Sequence, residues 1–385
     1  MKVEKNHNFL FKNNKILFVA NVDWFFISHR LILAKAAIKK GYKVTVICAD
    51  TGRRKEIESV GATFVNFQFE RSGTNIFKEL YTLLRFYKLY KKIAPNIVHH
   101  ITLKPVIYGS IVARCLKLPV LNAVSGLGFN FTEGQSGFST KLMIFLMRIG
   151  FKNKNLTCIF QNNDDLNVIK SRGILSESNR IVKIKGVGVD LNKFSYQIPL
   201  QNEKISIVLP ARLLWDKGVK EFYEASQLLK KKYASKVIFK LVGMADIDNN
   251  AGVSPETLKG WIDDNYFIWV DYQKNMVPVY NNSDIIVLPS YREGMPKTLL
   301  EACAVGRPIV TTNAIGCKEC VDEGINGFKI PVKSIKKLAK AIEVLILDKE
   351  LRLCMGEASR NKAVDEFNQV NVISKHLEIY NSLCK

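Results

Sequence analysis

The stretch DIIVLPSYREGMPKTLLEA, residues 284–302, decides the fold. Its first part, residues 284–288, is an apolar run that predicts a buried strand ending at a proline. Pro296 suits the first position of a helix, where its missing N–H costs nothing, and an apolar run follows it. The segment therefore predicts a strand, a tight loop and a helix, with Glu293 before the helix start and Glu301 within the helix.

The predicted helix start has the properties of an anion site. A helix N-terminus offers unpaired N–H groups and the positive end of the helix dipole, which together bind phosphate well. Glu301 lies about 7.5 Å along the helix from Pro296, at about 1.5 Å per residue. A carboxylate there can accept hydrogen bonds from sugar or ribose hydroxyls, but it cannot bind phosphate.

Similar strand and helix patterns alternate along the whole chain. The strands predicted in the first half are Lys15–Ala20, Lys43–Ala49, Thr63–Phe67, Ile97–Ile101, Pro119–Val124, Leu156–Phe160 and Ile181–Lys185. Those predicted in the second half are Ile205–Pro210, Lys236–Val242, Tyr266–Val270, Asp284–Leu288 and Pro308–Thr312. The helical stretches include Ser28–Lys40, Phe77–Lys92, Tyr108–Leu116, Gly218–Lys232, Val277–Asn281, Lys297–Val305 and Ser334–Leu347. This alternation predicts an α/β protein whose parallel sheets are covered by helices on both faces.

Two such series, joined near residues 194–204, predict two Rossmann-like domains, residues 1–195 and residues 196–365. Ligands of parallel sheets bind beyond the carboxyl ends of the strands, so we expect the two sheets to face a cleft between the domains. The last stretch, residues 362–384, has helical spacing. A helix over about 366–385 either ends the second domain or packs back on the first, and the sequence leaves both arrangements open.

The positive charge is concentrated in the first half of the chain. The 385 residues carry a net charge of +22. Residues 1–195 contribute +19, from 31 Lys and Arg against 12 Asp and Glu. This charge indicates either a solvated lysine-rich surface or a surface that meets an anionic membrane or nucleic acid. Because no nucleic-acid-binding motif accompanies the charge, we favour the membrane over nucleic acid. No apolar run approaches the roughly 20 residues of a membrane span, and the N-terminus has no signal-peptide pattern.

Two short motifs raise the question of a metal site. Cys317 and Cys320 form a lone C-x-x-C without a second pair at zinc spacing, so we interpret them as buried, reduced thiols. Asp246 and Asp248 form a D-x-D in a polar loop, a motif that can hold a metal ion on a diphosphate. Since the cations of the loop of residues 210–218, described next, predict a diphosphate site without a metal, we interpret this motif as a solvated loop and predict no metal.

The loop of residues 210–218 connects a buried strand to a helix. Arg212 and Lys217 stand five residues apart in it, where both side chains can turn toward one anion. A planar guanidinium and a point-charged ammonium together suit a diphosphate. Taken alone, both residues could equally be ordinary loop cations.

Combined with Glu293 and Glu301, these two cations resemble the retaining nucleotide-sugar glycosyltransferases of family 4. That family has the GT-B fold of two Rossmann-like domains. Residues 293–301 match its E-x7-E element. Further matches are Gly188-Val189-Asp190, Phe194, Gly316-Cys317, Glu319 and Asn326-Gly327-Phe328.

The resemblance implies a division of roles at the donor. Arg212 and Lys217 would hold the donor diphosphate, Glu301 the ribose hydroxyls, and Glu293 the donor sugar. The other donor-binding residues that it implies are Gly294, Met295, Pro296, Lys297, Thr298 and Leu299. The substrate would be a UDP-sugar, and no metal would be required.

The first half is similar to bacterial family members that extend polyprenyl-diphosphate-linked glycans. The stretches carrying this likeness are residues 23–30, 99–105 and 125–128. The likeness implies a lipid-diphosphate-linked acceptor and a peripheral position on the cytoplasmic face of the bacterial inner membrane. Residues 21–24 stand where many members have a glycine pair, which argues against a backbone contact to donor phosphate there.

Four residues of the first half are candidates for contact with the acceptor or the transferring sugar: His100, Lys104, Gly126 and Gly128. His100 follows a predicted strand, and the alternative is a hydrogen-bonded structural histidine. The basic amphipathic stretch 137–154 predicts either a membrane-interface helix or a core-facing helix.

Three other functions compete with sugar transfer. An epimerase of the same fold would act on a free UDP-sugar and would leave the basic half unexplained. A non-enzymatic binder of anionic membrane or nucleic acid would explain the charge but not Arg212, Lys217 and the two glutamates. An NAD-dependent oxidoreductase is disfavoured because no G-x-G-x-x-G follows the first strand.

Overall fold

A computed structural model describes residues 14–69, 76–124, 137–199, 203–246, 249, 251–263 and 265–384. The chain divides into two compact units, residues 1–187 with 371–385 and residues 188–370. Within the described ranges, no helix is both long enough and apolar enough to cross a membrane.

The first unit is built on one sheet. Its strands are β1 (Lys15–Val22), β2 (Lys43–Ala49), β3 (Thr63–Asn66), β4 (Ile97–His100), β5 (Val120–Val124), β6 (Leu156–Phe160) and β7 (Arg180–Lys183). They run parallel in the order β3-β2-β1-β4-β5-β6-β7. Every residue of β5 and β6 is buried, which explains why four of the five residues in each strand are apolar.

Helices cover both faces of this sheet. They are α1 (Asp23–Lys39), α2 (Arg54–Glu58), α3 (Ile76–Ile93), α4 (Ser110–Cys115), α5 (Phe138–Phe151) and α6 (Asn163–Ser171), with a π-helical turn at Pro105–Gly109. On one face, α3 to α6 pack over a core that includes Phe86 and Met147. On the other face, α1 and α2 pack over a core that includes Phe26 and Ile57. Successive residues of β1 alternate between the two cores, as the strand period requires.

The second unit is built on a sheet of its own. Its strands are β8 (Ile205–Pro210), β9 (Val237–Val242), β10 (Phe267–Val270), β11 (Ile285–Leu288), β12 (Ile309–Thr312) and β13 (Gly327–Ile330). They run parallel in the order β10-β9-β8-β11-β12-β13. The helices are α7 (Val219–Tyr233), α8 (Pro255–Trp261), α9 (Val277–Asn281), α10 (Lys297–Val305), α11 (Ile335–Leu347) and α12 (Lys349–Glu366). The two parallel sheets confirm the predicted α/β architecture.

The chain then returns to the first unit through α13 (Gln369–Leu383). Tyr380 of this helix is fully buried, and its hydroxyl lies 2.7 Å from Nδ1 of His99 in β4. This hydrogen bond pairs the hydroxyl with a ring nitrogen, and both polar groups would otherwise be unpaired in the core. Of the two arrangements that the sequence left open for the last helix, the structure shows it packed on the first unit.

The helical spacing of residues 362–384 extends over two helices, because the chain breaks between α12 and α13. The N–H of Val189 donates to the carbonyl of Phe367 at 2.8 Å, and the N–H of Gln369 donates to the carbonyl of Val189 at 3.1 Å. The carbonyl of Phe367 and the N–H of Gln369 thus pair with Val189 in place of helical partners. Gly188 allows the close approach, because a Cβ there would lie 2.6 Å from Cα of Gln369.

Both sheets have a point at which the strand order reverses. In the first sheet it lies between β1 and β4, and in the second between β8 and β11. Doubly wound sheets bind their ligands beyond the carboxyl ends of the strands at such a point. The topology therefore predicts a ligand site at the loops that follow β8 and β11. These loops contain the candidate residues Arg212, Lys217 and Glu293.

Candidate functional site

Three loops of the second unit meet at the carboxyl end of its sheet. They follow β8, β11 and β12, and the first contains a 3-10 turn at Trp215–Lys217. The N–H of Tyr291 donates to the carbonyl of Asp216 at 2.8 Å, and the N–H of Glu293 donates to the carbonyl of Ile315 at 2.9 Å. Backbone hydrogen bonds therefore hold the second loop between the other two.

Two glycines make this packing possible. Gly218 has φ +73°, and a Cβ there would overlap the carbonyl oxygen of Pro289. Gly316 has φ +83°, and a Cβ there would overlap the carbonyl oxygen of Glu293. Only glycine adopts such backbone angles at low cost and also leaves room for a neighbouring chain. The two positions therefore fix how closely the three loops approach.

Lys217 and Glu293 form an ion pair where these loops meet. Nζ of Lys217 lies 2.6 Å from Oε1 of Glu293, and the two side chains are only 14% and 16% exposed. The hydroxyl of Ser290 donates to the same carboxylate oxygen at 2.9 Å. The structure thus brings together two of the residues that the sequence assigned to one site.

Arg212 lies in a more open position near the same strand ends. Its side chain is 55% exposed, and Nη1 stands 3.7 Å from a carboxylate oxygen of Asp246. Asp246 is the first residue of the D-x-D motif, whereas Asp248 lies outside the described residues. One carboxylate of this motif is therefore engaged with the guanidinium of Arg212.

No group of three or more His, Cys, Asp or Glu suited to a metal is present among the residues that the structure describes. Cys317 and Cys320 are both buried. Burial raises the pKa of the Cys317 thiol to about 12, and the Cys320 thiol packs against the sulfur of Met295 at 3.5 Å. The C-x-x-C is thus a pair of protonated thiols in the core.

Helix α10 begins at the end of the loop that follows β11. Pro296 precedes it in extended conformation, and Leu299 and Leu300 are fully buried. The hydroxyl of Thr298 donates to the carbonyl of Pro210 at 3.0 Å, which ties the first turn of the helix to the end of β8. The N-terminus of α10 is therefore fixed at the point where the strand order reverses.

Both carboxylate oxygens of Glu301 have partners. The hydroxyl of Tyr280 donates to Oε2 at 3.0 Å, and Nζ of Lys297 lies 3.3 Å from Oε1. Tyr280 is fully buried, and this burial, reinforced by the nearby carboxylate, holds its pKa well above the usual value. The phenol therefore stays protonated and donates. These two contacts hold the carboxylate of Glu301 in a fixed orientation.

The candidates of the first unit lie in different surroundings. His100 is fully buried, with Nε2 2.9 Å from the hydroxyl of Tyr90 and Nδ1 2.7 Å from Oδ1 of Asn122. Burial lowers the pKa of His100 to about 4, so the imidazole is neutral at neutral pH. Both ring nitrogens are occupied within the core. This geometry corresponds to the structural alternative and leaves no ring nitrogen facing a substrate.

The other first-unit candidates are not brought together with His100 by any described contact. Lys104 pairs with Glu79 at 3.8 Å. Gly126 and Gly128 lie outside the described residues. Asp23 opens α1 immediately after β1 and accepts hydrogen bonds from the backbone N–H groups of Thr51 and Arg53. Because the helix follows the strand directly, no phosphate-binding loop separates them.

Family models match both halves of the chain. Residues 192–362 match the model for glycosyl transferases group 1, and residues 15–163 match the model for glycosyl transferase 4-like proteins. The chain is a family 4 glycosyltransferase.

Two curated relatives align over nearly the whole glycosyltransferase. An N,N'-diacetylbacillosaminyl-diphospho-undecaprenol alpha-1,3-N-acetylgalactosaminyltransferase of Campylobacter jejuni is 29% identical, and the alignment covers 92% of this chain and 95% of the relative. A UDP-Gal:alpha-D-GlcNAc-diphosphoundecaprenol alpha-1,3-galactosyltransferase of Escherichia coli is 27% identical, with 88% and 89% coverage.

A solved structure supports the fold of the glycosyltransferase. A glycosyltransferase from Rickettsia africae superposes with a TM-score of 0.78 at 21% identity, covering 97% of this chain and all of that one. The predicted family and GT-B fold are thereby confirmed. The family models and the curated relatives give no support to the epimerase alternative.

Sequence reasoning missed two features of the glycosyltransferase. Tyr280 was not singled out, because nothing in the spacing of α9 shows that its hydroxyl reaches Glu301, 21 positions later. The second feature is an apolar cavity of about 170 Å³ beyond the carboxyl ends of β4 and β5. Its lining is Phe25, Ile101, Thr102, Leu103, Val106, Ala123 and Val124.

Proposed function

We propose that this glycosyltransferase moves a hexose or an N-acetylhexosamine from a UDP-sugar to a polyprenyl-diphosphate-linked glycan, with retention of anomeric configuration. The observation that carries the proposal is the partly buried Lys217–Glu293 ion pair, which lies where the strand order of the second sheet reverses. A cation and a carboxylate at that point match the two parts of a nucleotide-sugar, its diphosphate and its hydroxyls.

The substrate classes follow from the relatives. The Escherichia coli relative is named for UDP-Gal and for a diphosphoundecaprenol-linked acceptor, and the Campylobacter jejuni relative for a diphospho-undecaprenol acceptor. Both names describe sugar transfer to a lipid-diphosphate-linked glycan. We extend that class of donor and acceptor to the present enzyme, because the alignments cover most of each chain.

In the proposed complex, Lys217 leaves Glu293 and binds the donor diphosphate, together with Arg212 and the N-terminus of α10. Residues 294–299 supply the backbone around the diphosphate and sugar. Glu293 is then free to accept from the sugar hydroxyls, and Glu301 accepts from the ribose hydroxyls. The relocation of Lys217 couples the arrival of the diphosphate to the release of Glu293.

The transfer step exchanges one C–O bond at the anomeric carbon for another and moves one proton. The acceptor hydroxyl attacks the anomeric carbon from the face that the diphosphate leaves, and the bond from that carbon to the diphosphate oxygen breaks. UDP departs with the electron pair, and the acceptor proton passes to a phosphate oxygen. Lys217, Arg212 and the α10 dipole stabilise the charge that develops on UDP, so the step requires no metal.

We further propose that the enzyme works as a peripheral protein on the inner face of the bacterial inner membrane. The acceptor class is anchored in lipid, and the first half of the chain carries +19 of the net +22 charge. An anionic leaflet attracts such a surface. Nucleic acid is not part of the proposed function.

The test combines donor binding with product analysis. Thermal-shift measurements with UDP-Gal, UDP-Glc, UDP-GlcNAc and UDP-GalNAc identify the donor, and a short-chain polyprenyl-diphosphate-linked sugar then serves as acceptor. We expect one donor to stabilise the protein and to yield an α-linked product by NMR, in buffer containing EDTA. Stabilisation by none of the four, or transfer only after Mn²⁺ is added, contradicts the proposal.

A further inference from the structure

Helix α3 carries large apolar side chains on the face turned away from the core. Leu80 and Leu84 are 54% and 53% exposed, and Tyr81 and Tyr87 are exposed as well. Residues 80, 84 and 87 follow the spacing of a single helical face. The opposite face already fills the core through residues such as Phe86, which is fully buried. Packing within the unit therefore does not account for the outward apolar residues.

The outward face of α3 is also cationic. At 3.6 residues per turn, Lys88 and Lys91 lie on the same arc as Leu84. The one carboxylate of α3 is Glu79, and it lies 3.8 Å from Lys104, away from this arc. Among the residues of α3 whose side chains the structure describes, the exposed cations are Arg85, Lys88, Lys91 and Lys92. Apolar and positive side chains thus alternate on one surface without a carboxylate among them.

Helix α5 presents a second face of the same kind. Leu142 and Phe145 are exposed large apolar residues, and Lys141 and Arg148 are exposed beside them. Residues 137–154 contain no Asp or Glu. Both α3 and α5 pack against α4 and over the same core on one side of the first sheet. We refer to the outward surfaces of Leu80–Lys92 and Lys141–Arg148 together as the α3–α5 face.

We propose that the α3–α5 face docks on an anionic lipid bilayer. Lysine and arginine side chains near an anionic leaflet are attracted to its negative surface potential. Leucine and phenylalanine can enter the boundary between headgroups and acyl chains, while tyrosine favours the interface itself. The long cationic side chains keep their charges in the headgroup layer while their stems cover apolar surface. This inference rests on the proposed function, because that function places the acceptor in a membrane.

Two other occupants fit the α3–α5 face less well. Nucleic acid would be bound through phosphates by the cations alone, and exposed leucines such as Leu80 and Leu84 contribute nothing to that contact. A second copy of the chain would bind the α3–α5 face either through its own α3–α5 face or through another part of its surface. In a two-fold interface, the cations of one copy would oppose those of the other without intervening carboxylates.

Vesicle co-sedimentation of the full chain tests the docking face. The vesicles are phosphatidylcholine alone or with one-third phosphatidylglycerol. The apolar variant is L80Q with L84Q, and its matched control is L228Q with L347Q, two leucines of the second unit that are 56% and 66% exposed. The charge variant is K88Q with K91Q, and its control is K336Q with K337Q, exposed lysines of the second unit. Glutamine keeps helix propensity, so folding is preserved.

We expect wild-type protein to bind the anionic vesicles and each α3 variant to bind them about tenfold more weakly, with both controls unchanged. Thermal stabilisation by the UDP-sugar should be equal in all five proteins, which separates docking from the proposed function. Equal vesicle binding by wild type and α3 variants overturns the docking proposal. The proposal is also overturned if light scattering shows a wild-type dimer and monomeric α3 variants. Binding to DNA in place of vesicles overturns it as well.

Discussion

At the scale of single residues, two ion pairs organise the candidate site. Lys217 stands 2.6 Å from Glu293 in a partly buried position, whereas the more exposed Arg212 stands 3.7 Å from Asp246. A diphosphate that arrives at Lys217 offers the ammonium two or more charged oxygens in place of one carboxylate. In this account, Lys217 is therefore the cation that responds most directly to the donor.

Lys217→Ala should lower turnover by about a hundredfold, because one charge that stabilises the departing UDP is removed. Lys231→Ala is the matched control, since Lys231 is an exposed lysine on α7 of the same unit. Steady-state transfer with saturating donor measures both variants. Turnover by Lys217→Ala within a fewfold of the control would show that this lysine does not hold the diphosphate.

Tyr280 acts through Glu301, and its contribution can be separated from a structural one. Tyr280→Phe should raise the KM for the UDP-sugar about tenfold and change kcat much less, since a hydrogen bond to a charged group that orients the ribose ligand is lost. Tyr233→Phe removes a comparable phenol–carboxylate bond, 2.8 Å to Glu343, away from the site. Equal KM values for the two variants would show that Tyr280 does not contribute to binding of the UDP-sugar.

At the scale of elements, the strands were the best predicted part of the fold. Most of these strands are buried on both faces and are therefore apolar runs, and the sequence alone identified twelve of the thirteen strands in the described part of the chain. The remaining strand, β13, has the sequence GFKI with two half-buried residues at its centre, which gives no such run. The break between α12 and α13 was missed because Val189, which causes it, is distant in the sequence.

The candidate site was predicted in position but not in contacts. The sequence placed Arg212, Lys217 and Glu293 beyond strand ends, and parallel topology brings such positions to one edge of a sheet. Their pairing could not be predicted, because it depends on how three loops pack around Gly218 and Gly316. Likewise, the burial of His100 depends on partners from α3 and β5 that no local pattern reveals.

Gly218→Ala tests whether loop packing fixes the site. The substitution combines a left-handed backbone angle with overlap against the loop after β11, and it should destabilise the second unit by about 1–3 kcal/mol and lower activity. Gly260→Ala is the control, because nothing lies within 4 Å of its added Cβ and the residue is in α8. Thermal unfolding and transfer assays measure both. A Gly218→Ala protein as stable and active as the control contradicts the packing argument.

At the scale of the whole molecule, the first unit is held together by a buried polar cluster. His99, His376 and Tyr380 meet in the core between β4 and α13, and the side chain of Arg30 is also buried there. Burial and, to a lesser extent, the charge of Arg30 together lower the pKa of His376 to about 3. Burial likewise holds the pKa of His99 well below its usual value. The return of α13 to this unit thus depends on neutral histidines.

Stability should therefore fall as the pH drops below about 6.5, the usual pKa of histidine. Unfolded histidines take up protons there, while folded His99, His100 and His376 do not until the pH approaches about 4 for His100 and about 3 for His376. Each contributes a slope of up to about 1.4 kcal/mol per pH unit in that window. Thermal unfolding between pH 7 and pH 5 measures the effect. A midpoint that stays constant over this range contradicts it.

The central claim is that the carboxyl ends of β8 and β11 hold a nucleotide-sugar, and calorimetric titration with UDP in EDTA tests it most directly. Wild-type protein and Lys231→Ala should bind one UDP per chain with the same Kd. Lys217→Ala should bind it at least about tenfold more weakly, because a charge-assisted contact to the diphosphate is lost. The same Kd for Lys217→Ala and Lys231→Ala, or no UDP binding by the wild type, would contradict the claim.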